Sequence, residues 1–172
     1  PERVARIAGG GVGGIGAVLD GLLSAPAYLK QVDRTICVGT MNTNNRTEME
    51  RLFAPRNRLF VDYFPTGSMV SCPRALSDAL SGIERSFQVR ILYGKRGFGD
   101  AEHEILLIDP GNIDPARFSQ FQYYVWQRFR LDSSLHQGNA EYITTMAHAE
   151  PAFAALQEVL ALTGGEAADK VI

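Results

Sequence analysis

Cysteine is scarce in this chain. Cys37 and Cys72 are the only two among 172 residues, and they form no C-x-x-C pair. That density excludes a disulfide scaffold and a cysteine-based zinc site. Each reads as a small, buried apolar side chain in a reducing compartment. Net charge is also small, −2, which leaves no electrostatic footprint for nucleic acid or for an anionic membrane. No apolar run approaches the ~20 residues that span a bilayer, and the N-terminus lacks the charged-then-apolar order of a signal peptide. His103, His136 and His148 never fall at i, i+4, and there is no H-E-x-x-H, so no metal site is expected. Ser68 and Ser71 lie in a turn rather than in a G-x-S-x-G elbow. Gly94-Lys95-Arg96 resembles a phosphate loop only loosely and reads as a solvated loop. These absences describe a soluble, cytoplasmic protein with no nucleic-acid or membrane partner.

An apolar fraction of 45% and a charged fraction of 21% are those of a globular domain with a real core. Short apolar runs alternate with helical patterns. "RVARIAG" (3–9) reads as a strand, followed by a glycine loop and a helix through about Leu23. "RTICVGT" (34–40) and "RLFVDYF" (58–64) read as the next strands, with a short helix over "EMERLF" between them. Helical spacing of Leu76, Leu80, Ile83 and Phe87 marks a helix over 74–87. "QVRILY" and "HEILLID" (103–109) are two more strands, separated by the hairpin-like "GKRGFGDAE". Helices over 115–130 and 139–162 follow, the second expected to kink or divide at Pro151 and to end at Gly164 and Gly165. Such alternation predicts an α/β fold: a Rossmann-like, mostly parallel sheet with helices on both faces, in one domain over 1–172. On the 115–130 helix, Phe118, Phe121, Val125 and Phe129 form the expected core stripe, and Tyr123, Tyr124 and Trp126 fall off it. Sugars stack on exposed aromatic faces of that kind, although contact with a partner domain explains the same residues. Asp109 and Asp114 flank a Pro-Gly turn and read as turn formers.

"RIAGGGVGGIGAVLDGL" (6–22) carries seven glycines, and Gly11-Val12-Gly13-Gly14-Ile15-Gly16 matches G-x-G-x-x-G between a strand and a helix. Residues without Cβ let backbone N–H groups approach an anion, and the helix N-terminus adds favourable partial charge. The dinucleotide fingerprint also requires an acid about 20 residues on, at the tip of the second strand. That tip holds Gly39, Thr40, Met41 and Asn42, while Asp33 stands at the strand's other end. A nicotinamide-dependent oxidoreductase domain therefore has half of its signature. A glycine turn that only packs strand against helix is the remaining, minority reading of the run.

"GGIGAVLDGL" (13–22) resembles the glycine loop and helix near the N-terminus of bacterial glycogen and starch synthases. "ILLIDPGNID" (105–114) is similar to that family's strand and Asp-Asn-Pro turn. "GNAEYITTMAHAEPAFAALQEVL" (138–160), with Asn139-Ala140-Glu141-Tyr142, is similar to its Asn-Ala-Glu-Arg-Phe helix. The resemblance implies the N-terminal, acceptor-side half of a two-domain GT-B glycosyltransferase. Such an enzyme transfers glucose from a nucleotide-sugar to a glucan or other acceptor with retention, and needs neither metal nor cofactor. It further implies that Gly13, Gly14 and Gly16 approach the donor phosphates. The catalytic His-Ala-His strand would lie past Ile172, starting at "ADKVI", and the C-terminal half that holds the donor would follow. A lysine that the synthases carry two residues before Gly13 is Gly11 here, so that phosphate contact is absent or supplied elsewhere.

Overall fold

A computed structural model describes residues 14–65 and 71–164. The expected strand at 3–9, most of the glycine run, most of the 65–68 turn, Gly165 and the start of a strand at Val171 lie outside these residues. The elements are α1 (Gly14–Leu23), α2 (Pro26–Gln31), β1 (Ile36–Thr40), α3 (Arg46–Leu52), β2 (Leu59–Tyr63), α4 (Arg74–Phe87), β3 (Arg90–Phe98), β4 (Ala101–Asp109), α5 (Pro115–Phe129) and α6 (Ala140–Leu162). They fall into two compact units. One runs up to Cys72 and includes Ile91–Ile108; the other comprises Pro73–Arg90 and the chain from Asp109.

The first unit holds a four-stranded sheet in the order β1-β4-β3-β2. β1 and β4 are parallel, with Cys37 opposite Ile105 and Gly39 opposite Leu107, whereas β2 and β3 are antiparallel. The protein is α/β, but among the described residues the sheet is mixed and not mostly parallel. The cause is local. β3 and β4 are joined only by Gly99 and Asp100, and a two-residue link permits only an antiparallel hairpin. The stretch "GKRGFGDAE" is thus mostly strand, and Gly99, at φ +54°, is the residue that turns. Gly94 sits inside β3 for a different reason: a Cβ there would collide with the backbone carbonyl of Phe60 on β2.

Alternation places Leu92 and Phe98 of β3, Ile105 and Leu107 of β4, and Leu23 of α1 in one apolar cluster with Met41 and Leu52. Fully burying side chains of this size contributes about 1.5–3 kcal/mol each. Ile91, Leu106 and Ile108, at the alternate positions, are also fully buried, so the middle strands read as continuous apolar runs.

In the second unit α4 buries Leu76, Leu80 and Phe87, as its spacing predicts, with Ile83 half-buried. α6 runs unbroken through Pro151, which is itself buried beside Ala147, Ala152, Ala155 and Val159. The expected division of that helix does not occur: α6 packs against α4, and its buried residues lie on both sides of the proline. Beyond Thr163, Gly164 takes the left-handed conformation (φ +78°) that ends a helix. The expected aromatic core stripe of α5 is mostly not core. Val125 is buried, Phe118 and Phe121 are half-buried, and Phe129 is exposed.

Candidate functional site

Gly13 lies outside the described residues; Gly14 is the first residue of α1, and Gly16 lies in its first turn. The first N–H groups of a helix have no partner within it and carry positive partial charge. The other end of α1 is tied to the sheet. His103 Nε2 donates to Leu23 O at 2.8 Å, tying the carboxyl end of α1 to the start of β4. Ten residues at 1.5 Å rise give a helix of about 15 Å. The carboxyl end of α1 thus stands beside the start of β4, and the glycine end lies at the far end of the helix.

Beside the start of β4 lies a cleft of about 340 Å³, lined by Arg34, Thr35, Lys95, Glu102, His103 and Glu104 together with Leu29, Val32 and Asp33. Two of its charged groups, Arg34 and Glu104, are engaged with each other, while Asp33, Lys95 and Glu102 are exposed. Arg34 donates from Nε and Nη2 to the two carboxylate oxygens of Glu104, at 2.7 and 2.9 Å. Tyr93 Oη donates to Glu104 Oε2 at 2.5 Å. Burial opposes ionisation of Glu104, but Arg34 and Tyr93 outweigh it and hold the carboxyl below the usual carboxylate range. Burial, reinforced by donation to Glu104, pushes the Tyr93 phenol well above its ordinary value. The hydrogen bond to Glu104 outweighs burial and raises Arg34 in turn. Tyr28 Oη and Thr35 Oγ1 pair at 2.9 Å. The His103 ring stands 5.7 Å from Phe98 and 6.2 Å from Tyr28, centroid to centroid. Because a carbonyl can only accept, Nε2 is the donor in its bond to Leu23 O.

Comparisons with protein-family models, curated proteins and solved structures return no match.

The two later landmarks of the sequence fall on element junctions. Asp109 ends β4, and its Oδ1 accepts from Gly111 N at 2.9 Å, closing the turn. Asp114 caps α5 by accepting from Ala116 N at 2.8 Å. Asn139 caps α6, accepting from Tyr142 N at 3.1 Å, so Ala140-Glu141-Tyr142 forms the first turn. A carboxylate does stand near the tip of β1: Glu48 Oε1, on α3, accepts from Asn42 N at 3.2 Å. Glu48 lies past the strand tip and well beyond the spacing of about 20 residues that the fingerprint sets from the glycines, and it serves to close the loop.

Arg96 is not part of a solvated loop. It is 1% exposed, donates to Asn57 Oδ1 at 3.4 Å, and lies 5.2 Å over the Phe98 ring. Its place in β3 puts it on the face that also carries Leu92 and Phe98. Cys37 and Cys72 are half-buried, and burial raises both thiols above the ordinary range, which disfavours the reactive thiolate. Ser71 Oγ donates to Asp62 Oδ1 at 2.7 Å, and His136 packs 4.7 Å from Tyr142. Among the described residues no group of three or more His, Cys, Asp or Glu could hold a metal ion. No described helix is long and apolar enough to cross a membrane.

The pairing of Arg34 with Glu104 was not foreseen from sequence. The partners are 70 residues apart, and no local pattern marks them.

Proposed function

We propose that this chain is the acceptor-side half of a retaining glycosyltransferase. It moves glucose from a nucleotide-sugar to a glucan or similar acceptor, with a second α/β half holding the nucleotide. The observation that carries the reading is the glycine-bearing first turn of α1, whose other end is tied to the sheet by His103. Gly14 and Gly16 stand in that turn, and the first N–H groups of a helix suit a diphosphate. The Asp109 turn and the Asn139 cap support the same reading, since both resembling segments begin a new element where that family does. In the alternative, dinucleotide binding, a carboxylate near the β1 tip would hold ribose hydroxyls. Glu48 is already engaged there with Asn42 N.

The test uses the two-half enzyme, comparing initial rate with thermal melting for wild type and Gly14→Val. Valine in the first turn of a helix costs less than about 1 kcal/mol of stability. Its methyls occupy the anion's space, and displacing a reactant by about 1 Å costs roughly a hundredfold in rate. The expected outcome is glucosyl transfer by wild type and a hundredfold loss in a variant that melts within a few degrees of it. Activity lost only in proportion to unfolding makes the glycines structural. NAD or NADP binding by wild type at low micromolar concentration, without nucleotide-sugar turnover, overturns the proposal.

A further inference from the structure

A second hollow, of about 190 Å³, lies between α5 and the 3-10 turn Ser133–His136; it is lined by Gln122, Tyr123, Trp126, Asp132, Ser134 and Gln137, with Ser133 at its floor. Tyr123 and Trp126 are 59% and 42% exposed, their rings 5.7 Å apart and inclined at 34°. Arg130, left-handed at the end of α5 (φ 59°), sets its guanidinium 5.6 Å from the Trp126 centroid and holds the indole in place. The amides of Gln122 and Gln137 have no hydrogen-bond partner among the described residues. Asp132 Oδ1 accepts from Ser134 N at 2.9 Å. Hydrogen bonds from Ser134 keep this carboxyl below the usual carboxylate range, hence ionised.

We propose that this hollow is a carbohydrate subsite that takes one pyranose ring of an oligosaccharide. A pyranose has an apolar C–H face and a rim of hydroxyls. The face lies on the electron-rich Tyr123 and Trp126 rings, and the rim exchanges hydrogen bonds with two free amides and a carboxylate, each of which can accept and two of which donate. The volume is below the ≈300–1,000 Å³ that drug-sized ligands fill, which suits one ring of a longer chain. A nucleic acid would also stack on the rings, but Asp132 stands against its phosphates, and the nearby Arg130 is set over the Trp126 ring and is not among the residues that line the hollow. The subsite shares no residue with the glycine run, and its test involves no transfer.

Trp126 is the only tryptophan of the chain, so its fluorescence reports this hollow alone. The experiment titrates the 172-residue chain with maltohexaose and, separately, cellohexaose, with glycerol as control and poly(dT) as a further arm. The expected result is a saturable change in emission with at least one hexaose, at a Kd on the order of millimolar. Tyr123→Ala should weaken it at least about tenfold, and Gln137→Ala by a smaller factor. Both side chains are exposed, so the variants are expected to fold, and circular dichroism checks that they do. No saturable change with either hexaose overturns the proposal. So does a change that glycerol reproduces or that Tyr123→Ala retains, saturation by poly(dT) alone, or emission that varies with protein concentration as self-association would make it.

Discussion

The cleft beside Arg34 and the hollow beside Trp126 are both rich in side chains that hydrogen-bond, yet they use them in opposite ways. In the cleft Arg34, Glu104 and Tyr93 satisfy one another, Tyr28 pairs with Thr35, and His103 is held by Leu23 O. In the hollow Gln122 and Gln137 have no partner among the described residues, and the Tyr123 and Trp126 rings are part-exposed. The Arg34–Glu104–Tyr93 cluster beside the larger cavity is therefore a joint of the fold, though Asp33, Lys95 and Glu102 on the cavity's lining are exposed. The smaller cavity is a surface with binding capacity unspent. Polar lining alone does not mark a site. What matters is which polar groups remain free after the protein has satisfied its own.

The sharpest break in that comparison is Glu104→Gln. The substitution removes the charge that Arg34 and Tyr93 both face, at side chains only 16% and 26% exposed for Glu104 and Arg34. Such a pair lies between exposed ones, worth at most about 1 kcal/mol, and buried ones, whose breaking costs about 3–5. A loss of about 2 kcal/mol is expected at pH 7, or roughly 4–8 °C in melting temperature for a chain of this size. The pH dependence follows from the depressed folded-state pKa of Glu104. The unfolded carboxyl titrates near about 4.3, so the contribution is complete above that pH and is lost as pH falls through the lower, folded value. Denaturant melts at pH 7 and pH 3 should show the gap between wild type and Glu104→Gln narrowing in acid. A gap unchanged with pH would mean that the carboxylate's charge is not what holds the joint.

Much of this architecture was legible because its signals are local. Leu76, Leu80 and Phe87 mark a helix face by spacing alone, and Asp114 and Asn139 cap helices through amides two and three residues away. The hairpin was visible but misjudged in length, since glycine in β3 answers to the Phe60 backbone of a neighbouring strand, about which a sequence window carries no information. Pro151 was read as a breaker because intrinsic preference says so, and tertiary packing on α4 overrides it. The Arg34–Glu104 pair was illegible for the same reason as Gly94: its logic spans two strands. Of the site residues proposed from sequence, Gly14 and Gly16 stand at a helix start as expected. The hollow was half visible, as aromatic residues off the core stripe; of its amides Gln122 lies on α5 itself and Gln137 follows the 3-10 turn after it.

A milder test of the joint is Tyr93→Phe, which deletes one hydrogen bond to a charged group and keeps the ring. Such bonds contribute about 1.5–3 kcal/mol when buried, and with Glu104 part-exposed a loss of about 1 kcal/mol at pH 7 is expected. Tyr93 has a raised folded-state pKa, so the sign is opposite to that of Glu104. Its contribution is complete below the unfolded value of about 10 and is lost as pH rises beyond it, because the unfolded phenol ionises first. Urea melts at pH 7 and pH 10.5 should therefore show wild type losing part of its advantage over Tyr93→Phe in alkali. Equal curves at both values would assign the Glu104 effect to Arg34 alone.

The smallest effect is expected in the hollow, and its smallness is informative. Gln122→Ala removes an amide that no described protein group uses, and alanine is the better helix former on α5 by a few tenths of a kcal/mol. Its melting temperature should stay within about 1–2 °C of wild type, since surface changes of this kind fall within ±0.5 kcal/mol. The same variant should bind the hexaose that shifts Trp126 emission several-fold more weakly. Stability kept while binding falls separates a group held ready for a ligand from one that holds the fold, which is the contrast with Glu104. If Gln122→Ala destabilised the protein as much as Tyr93→Phe does, the amide would be a structural member, and the two cavities would be of one kind.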